Sequence, residues 1–192
     1  IAFENLHLQR EMFDSQVEIV TLLAGVAESR SKDTPNHVKR VGHLADLIGE
    51  ACGLESRARE MLRYAAPLHD IGKIGIPDEV LHEPGKLNEE QWEIMKQHPV
   101  IGERIVSRIP GLEDVAKAIR HEHERWDGRG YPDGLKGERI PLASRIVLVC
   151  DAFHAMITDR PYRKSIGMAE ARNELSMHAG TQFDPDVVGA LL

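Results

Sequence analysis

The chain has 192 residues and a formal net charge of −7, with 29% charged and 42% hydrophobic residues. That composition suits a globular domain, and no apolar run is long enough to predict a membrane span. An acidic chain is ill suited to gripping many duplex phosphates, so DNA binding is excluded as its main task; a small anion held by a few local cations stays open. Cys52 and Cys150, far apart, form no disulfide framework and fit a reducing cytoplasm. Ten histidines outnumber the Phe, Tyr and Trp residues together. The chain opens on Ile1 within an expected helix, which reads as one domain of a longer protein.

Phe3, Leu6, Phe13, Val17, Val20, Ala24 and Ala27 recur at steps of three and four, with Arg10 the one polar interruption. This predicts a helix to about Arg30. It either packs on its own domain or forms a coiled-coil lead-in that pairs two chains. Thr34 as N-cap and Pro35 at the first position start a second helix, ended by Gly53. A third runs from Glu55 to His69-Asp70, followed by an irregular stretch to Pro77. Asn88 with Gln91 forms a capping box for a helix over Glu89–Gln97. Pro99–Ile109 and Leu112–Glu124 are further helices. The Gly- and Pro-rich segment Trp126–Pro141 is a long loop, usually a functional feature within a compact domain. Leu142–Ile157 is an apolar central helix, and Met168–Ala179 and Pro185–Leu192 close the chain. No segment reads as a strand, so the expected fold is all-α.

His37, His69, His98 and His121–His123 fall near expected helix ends, and Asp70 adjoins His69. Asp151 lies among Val147, Leu148, Val149, Cys150, Ala152 and Phe153, with no basic residue near it in sequence. An unpaired carboxylate there would be costly, and a metal would balance it. Imidazoles and carboxylates drawn from several helices are the donor set of a two-metal site in a helical bundle. Lys73, four residues after His69, is expected on nearly the same face if the helix continues.

Five separated motifs then stand in order: His69-Asp70-Ile-Gly-Lys73-Ile-Gly-Ile-Pro77, Pro84-Gly-Lys-Leu87, His98-Pro99, His123-Glu-Arg-Trp-Asp-Gly-Arg-Gly-Tyr-Pro132 and Asp159-Arg-Pro-Tyr-Arg163. Together they resemble the HD-GYP family, bacterial phosphodiesterases within the HD superfamily, from about Ser15 to the C-terminus. The resemblance implies a domain over 15–192 preceded by the start of a linker helix over 1–14. It also implies an HD-type bundle of about seven to nine helices and hydrolysis of cyclic di-GMP to pGpG, and onward to GMP. A centre of two or three metal ions is implied; the mixed N/O donors themselves point to iron or manganese first, with zinc or nickel compatible.

Carried over by motif, His37, His69, Asp70, His98, His123 and Asp151 match metal ligands, with Asp70 the bridge. Lys73 matches the lysine beside the metals, Tyr131 belongs to the Gly-Tyr-Pro loop, and Arg160 and Arg163 match substrate contacts. Asp33 stands where some members place a third-metal carboxylate. Two positions depart. Glu122 replaces the first of two adjacent histidines, and it is expected to coordinate in preference to His121. His154 replaces an aspartate and is expected to be peripheral. His7, His43, His82 and His178 match nothing.

The implied partners are cyclic di-GMP, a diguanylate cyclase domain at the Gly-Tyr-Pro loop, an upstream sensor or receiver domain and a second chain through the first helix. A hydrolase of cyclic GMP-AMP and a non-catalytic binding module are the alternatives.

Overall fold

The computed structural model describes residues 2–30, 37–159 and 164–192, apart from the side chains of 2–6, 9 and 10. Asp33, Arg160 and Arg163 lie outside the described residues, as does the expected start of the second helix at Thr34-Pro35.

The described chain is helical: α1 (Ala2–Arg30), α2 (His37–Ala51), α3 (Ser56–Leu68), α4 (Asp78–Leu81), α5 (Glu89–Met95), α6 (His98–Val106), α7 (Glu113–Arg120), α8 (Leu142–Ile157), α9 (Met168–Met177) and α10 (Pro185–Leu191). The segments His69–Gly75 and Gly137–Arg139 are 3-10 turns. The core gathers Val41, Ala45 and Ile48 of α2, Leu62, Ala65 and Leu68 of α3, Ile119 of α7, and Ile146 and Val149 of α8. Local chemistry marks several boundaries. Asn88 accepts from Gln91 N, and the Gln91 side chain accepts from Asn88 N, each at 2.9 Å, which closes the expected capping box. Asp184 caps α10 ahead of Pro185.

One open alternative is decided here and one expectation is corrected. The three-four stripe of α1 packs on its own domain: Val17, Val20, Ala24 and Ala27 are buried, and Phe13 packs on Tyr64. An apolar stripe satisfies either partner equally well, and the domain is the nearer one. The helix expected to reach Glu124 stops at Arg120. His121 N and Nδ1 both lie on the Lys117 carbonyl, at 3.3 and 2.8 Å, and Glu122 N bonds Ile119 O at 3.3 Å, tightening the last turn.

The segment after α3 positions the site. A Cβ on Gly72 would stand 1.8 Å from His98 O and 2.6 Å from Gly102 N, so only glycine lets the 3-10 turn lie backbone to backbone on α6. Gly102 in turn sits under Ile119. Among the described residues no helix is long and apolar enough to cross a membrane.

Candidate metal centre

The contact between the 3-10 turn and α6, together with the tightened end of α7, brings four side chains into one cluster. One ligand atom each from Asp70, His98, Glu122 and His123 lies within 4.8 Å of the others; a second set, His37, His69 and Asp151, meets the same limit. The residues come from α2, α6, α8, the 3-10 turn and the tightened turn after α7.

Asp70 lies between the sets. Its Oδ1 is 3.6 Å from His98 Nε2, and its Oδ2 is 3.3 Å from His69 Nε2 and 2.6 Å from Lys73 Nζ. Lys73 thus pairs with Asp70 rather than sharing a face with His69 as expected. In a 3-10 turn residues i and i+3 eclipse, whereas i and i+4 do not. Burial would raise the Asp70 carboxyl, but Lys73, His69 and His98 hold it well below its usual range.

The imidazoles are oriented from behind. His69 Nδ1 lies 2.7 Å from Ala66 O and His98 Nδ1 2.8 Å from Met95 O. A carbonyl only accepts, so each Nδ1 donates to it and each Nε2 is turned toward the cluster, where, against the lowering effect of burial, the Asp70 carboxylate raises the His69 pKa well above its ordinary value. His123 Nε2 is 3.0 Å from His98 Nε2. Burial, together with His98, depresses the His123 pKa well below its ordinary value, which keeps that ring neutral.

Glu122 tests whether this set fits a metal. It is 1% exposed, and neither carboxylate oxygen accepts a hydrogen bond; His98 Nε2 is 3.3 Å away and His123 Nε2 3.9 Å. Burial lifts its carboxyl to about 7. A buried carboxylate with two bare oxygens, facing imidazole nitrogens and a second carboxylate, is a donor set that a cation satisfies and that the protein alone does not. His121 points elsewhere, with Nε2 3.0 Å from Asp133 Oδ2.

In the second set His37 Nε2 is 3.5 Å from Asp151 Oδ1. Asp151, expected to be buried, is half-buried at 28% side-chain exposure, so His37 and solvent share its charge. His154, expected to be peripheral, is buried with Nδ1 2.8 Å from His37 Nδ1. Its place one turn beyond Asp151 on α8 was the available signal.

The long loop is pinned beside the first set. Glu124, 1% exposed, accepts from Asp133 N at 2.7 Å and Leu135 N at 3.0 Å. Arg120 bonds both oxygens of Asp133 and also Glu103. A Cβ on Gly130 would fall 2.3 Å from Arg125 N, so the loop folds directly onto the chain after His123. Tyr131 consequently stacks on His123, centroids 4.9 Å apart at 25°, and meets Trp92 edge-on. A cleft of about 490 Å³ opens here, lined by Trp92, Lys96, His123, Arg125, Arg129 and Tyr131 among others. Of these, Trp92, Lys96, Arg125 and Arg129 were not anticipated. The arginines flank Trp126-Asp127-Gly128 in sequence, but nothing local shows which side of the loop they take.

A bundle that gathers two His/carboxylate sets around a His-Asp pair is the architecture of the HD domain, and the family model for that domain matches residues 21–187. The chain belongs to the HD domain family, in its HD-GYP branch. It is 45% identical over 184 residues to a protein of Thermotoga maritima named cyclic di-GMP phosphodiesterase, covering 95% of this chain and 50% of that one. It is 43% identical over 185 residues to the Xanthomonas campestris cyclic di-GMP phosphodiesterase response regulator RpfG, covering 95% and 49%. Over 194 residues it is 39% identical to 3'3'-cGAMP-specific phosphodiesterase 2 of Vibrio cholerae, covering 100% and 37%. The chain therefore spans half or less of the length of these relatives. The crystal structure of a V. cholerae cyclic GMP-AMP phosphodiesterase, V-cGAP3, shares the fold, with a TM-score of 0.69 at 23% identity, covering 90% of this chain and 47% of that one.

Proposed function

We propose that the chain is a cytoplasmic, metal-dependent phosphodiesterase unit that hydrolyses cyclic di-GMP to pGpG, and by a second cut to GMP. The observation that carries the reading is Glu122, whose bare buried carboxylate faces imidazole nitrogens at the edge of a cationic, aromatic cleft. The names of relatives at 43–45% identity support the substrate.

In this reading His98, Glu122, His123 and Asp70 hold one metal ion, and His37, His69, Asp151 and Asp70 a second; Asp33 stands by for a third. Iron or manganese suits the mixed N/O donors best, and zinc or nickel also fits. Bound transition-metal ions would supply Lewis-acid activation of water and neutralise phosphate oxygens. Asp70, with one oxygen toward each set, fixes the spacing of the two sites. Lys73, held 2.6 Å from Asp70, stands beside the reacting phosphate to stabilise its charge and give a proton to the leaving 3′ oxygen. Arg160 and Arg163 clamp phosphate through their planar donor forks. Tyr131 sets the plane of His123, and Trp92 offers a face for a purine base. Water adds to phosphorus, the P–O3′ bond breaks, and the product carries a 5′-phosphate and a 3′-hydroxyl. A diguanylate cyclase domain at the Gly-Tyr-Pro loop and an upstream sensor domain complete the proposed setting.

Cyclic GMP-AMP is the second reading, favoured by the 39% identical V. cholerae relative. Turnover of cyclic di-GMP, cyclic GMP-AMP and pGpG by metal-reloaded protein decides between them. The proposal expects cyclic di-GMP to have the highest kcat/KM; preference for cyclic GMP-AMP selects the second reading, and binding without turnover rejects both.

A further inference from the structure

In the second donor set, one helix holds both nitrogens of a single ring. Asp151 and His154 stand one turn apart on α8 and share a face. His37 Nε2 lies 3.5 Å from Asp151 Oδ1, and His37 Nδ1 lies 2.8 Å from His154 Nδ1. Both imidazoles are buried, with ring centroids 4.7 Å apart at 59°. Two ring nitrogens at 2.8 Å hold one proton between them, so one donates and the other accepts. The 3.5 Å separation at the other end of His37 is too long for a good hydrogen bond and suits an imidazole and a carboxylate that face one ion together.

We propose that His154 is a positioning residue for the second metal site. Its Nδ1 accepts from His37 Nδ1, which fixes the His37 tautomer and turns the Nε2 lone pair of His37 toward Asp151 and the ion. The role rests on the metal centre proposed above. With Nδ1 accepting, the His154 ring is neutral and carries its own proton on Nε2, beside the Thr158 hydroxyl at 3.4 Å. An acceptor behind a ligating imidazole orients the ring and raises its basicity, and losing one typically costs about 10–100-fold in metal affinity. At this position the motif resemblance leads one to expect an aspartate, which would accept with a full charge. The imidazole of His154 aligns His37 in the same way but adds no negative charge to a set that already holds the Asp70 and Asp151 carboxylates, so this chain is built for a weaker grip on the second ion.

The test is calorimetric titration of metal-stripped protein with manganese, which needs no turnover. In histidine Nδ1 and in asparagine Oδ1 both hang on Cγ, so His154→Asn keeps an acceptor in place. His154→Leu has the same branched shape and removes it. One manganese ion per chain is expected to bind at least tenfold more weakly to His154→Leu, within threefold of the parent to His154→Asn, and more tightly than the parent to His154→Asp. Equal losses in the leucine and asparagine variants reduce His154 to packing and overturn the proposal. So does parental affinity in the leucine variant, or an aspartate variant no tighter than the parent. If His154→Leu fails to fold, long-range proton–nitrogen correlation spectra of the zinc-loaded parent at pH 8 read the tautomers directly. The proton is expected on Nδ1 of His37 and on Nε2 of His154; the opposite pair overturns the proposal. A parent that takes up no metal rejects the metal centre and this role with it, whereas a parent and a leucine variant that bind two ions alike reject this role alone.

Discussion

A methyl group on Gly72 would lie 1.8 Å from the carbonyl oxygen of His98. The backbone of the turn bearing His69, Asp70 and Lys73 therefore touches the first turn of α6 directly, and that contact sets Asp70 Oδ1 3.6 Å from His98 Nε2. Gly72→Ala must force the two apart, at a cost above about 3 kcal/mol. The expected outcome is a clear drop in melting temperature together with loss of metal uptake. A stable Gly72→Ala protein with full metal content would contradict this account of the glycine.

Glu122→Gln keeps the shape and removes the charge. In metal-stripped protein it is expected to melt at or above the parent, because a buried, unpaired carboxylate is itself destabilising. Metal affinity is expected to fall at least tenfold. Calorimetric melts and metal titrations check both halves. A less stable metal-free variant with unchanged affinity would assign Glu122 a structural role instead.

Asp70→Ala is expected to abolish hydrolysis while preserving helical content, since the apolar faces are untouched and the residue spanning the two sets is lost. Near-normal turnover would rule out a two-metal mechanism.

Trp92 presents an exposed ring at the cleft. If a guanine stacks there, Trp92→Ala raises KM for cyclic di-GMP about tenfold, in keeping with roughly 1–3 kcal/mol for base–aromatic stacking, with kcat little changed. Arg160→Ala with Arg163→Ala should likewise act on KM. An unchanged KM in either variant removes that contact from the substrate site.

Asp127 gives the long loop a measurable acid sensitivity. Its oxygens accept from Arg125 at 2.8 and 3.1 Å and from Arg129 N at 3.0 Å, and the Arg125 hydrogen bonds hold its pKa at about 2 against an ordinary 3.8. A depressed carboxyl adds stability that is complete above its ordinary pKa and disappears as pH falls through the folded value. Asp127→Asn should therefore melt below the parent at pH 6, with the gap closing between pH 4 and pH 2. A gap independent of pH would show that the charge plays no part.

The all-α class, the capping box at Asn88 and the candidate donors were legible from the sequence. Helix periodicity and capping are local, and a donor set is a matter of residue type and motif order. Tertiary packing alone decided the rest. It packed the α1 stripe on its own domain, because an apolar stripe satisfies either partner until a partner surface is specified. It turned His121 toward Asp133 at the tightened end of α7, where motif position had already favoured Glu122 as the donor. It paired Lys73 with Asp70, because a 3-10 turn eclipses i and i+3. And it placed His154 against His37 and Trp92 beside Tyr131, contacts spanning 117 and 39 residues of chain, since long-range contacts follow from how elements pack.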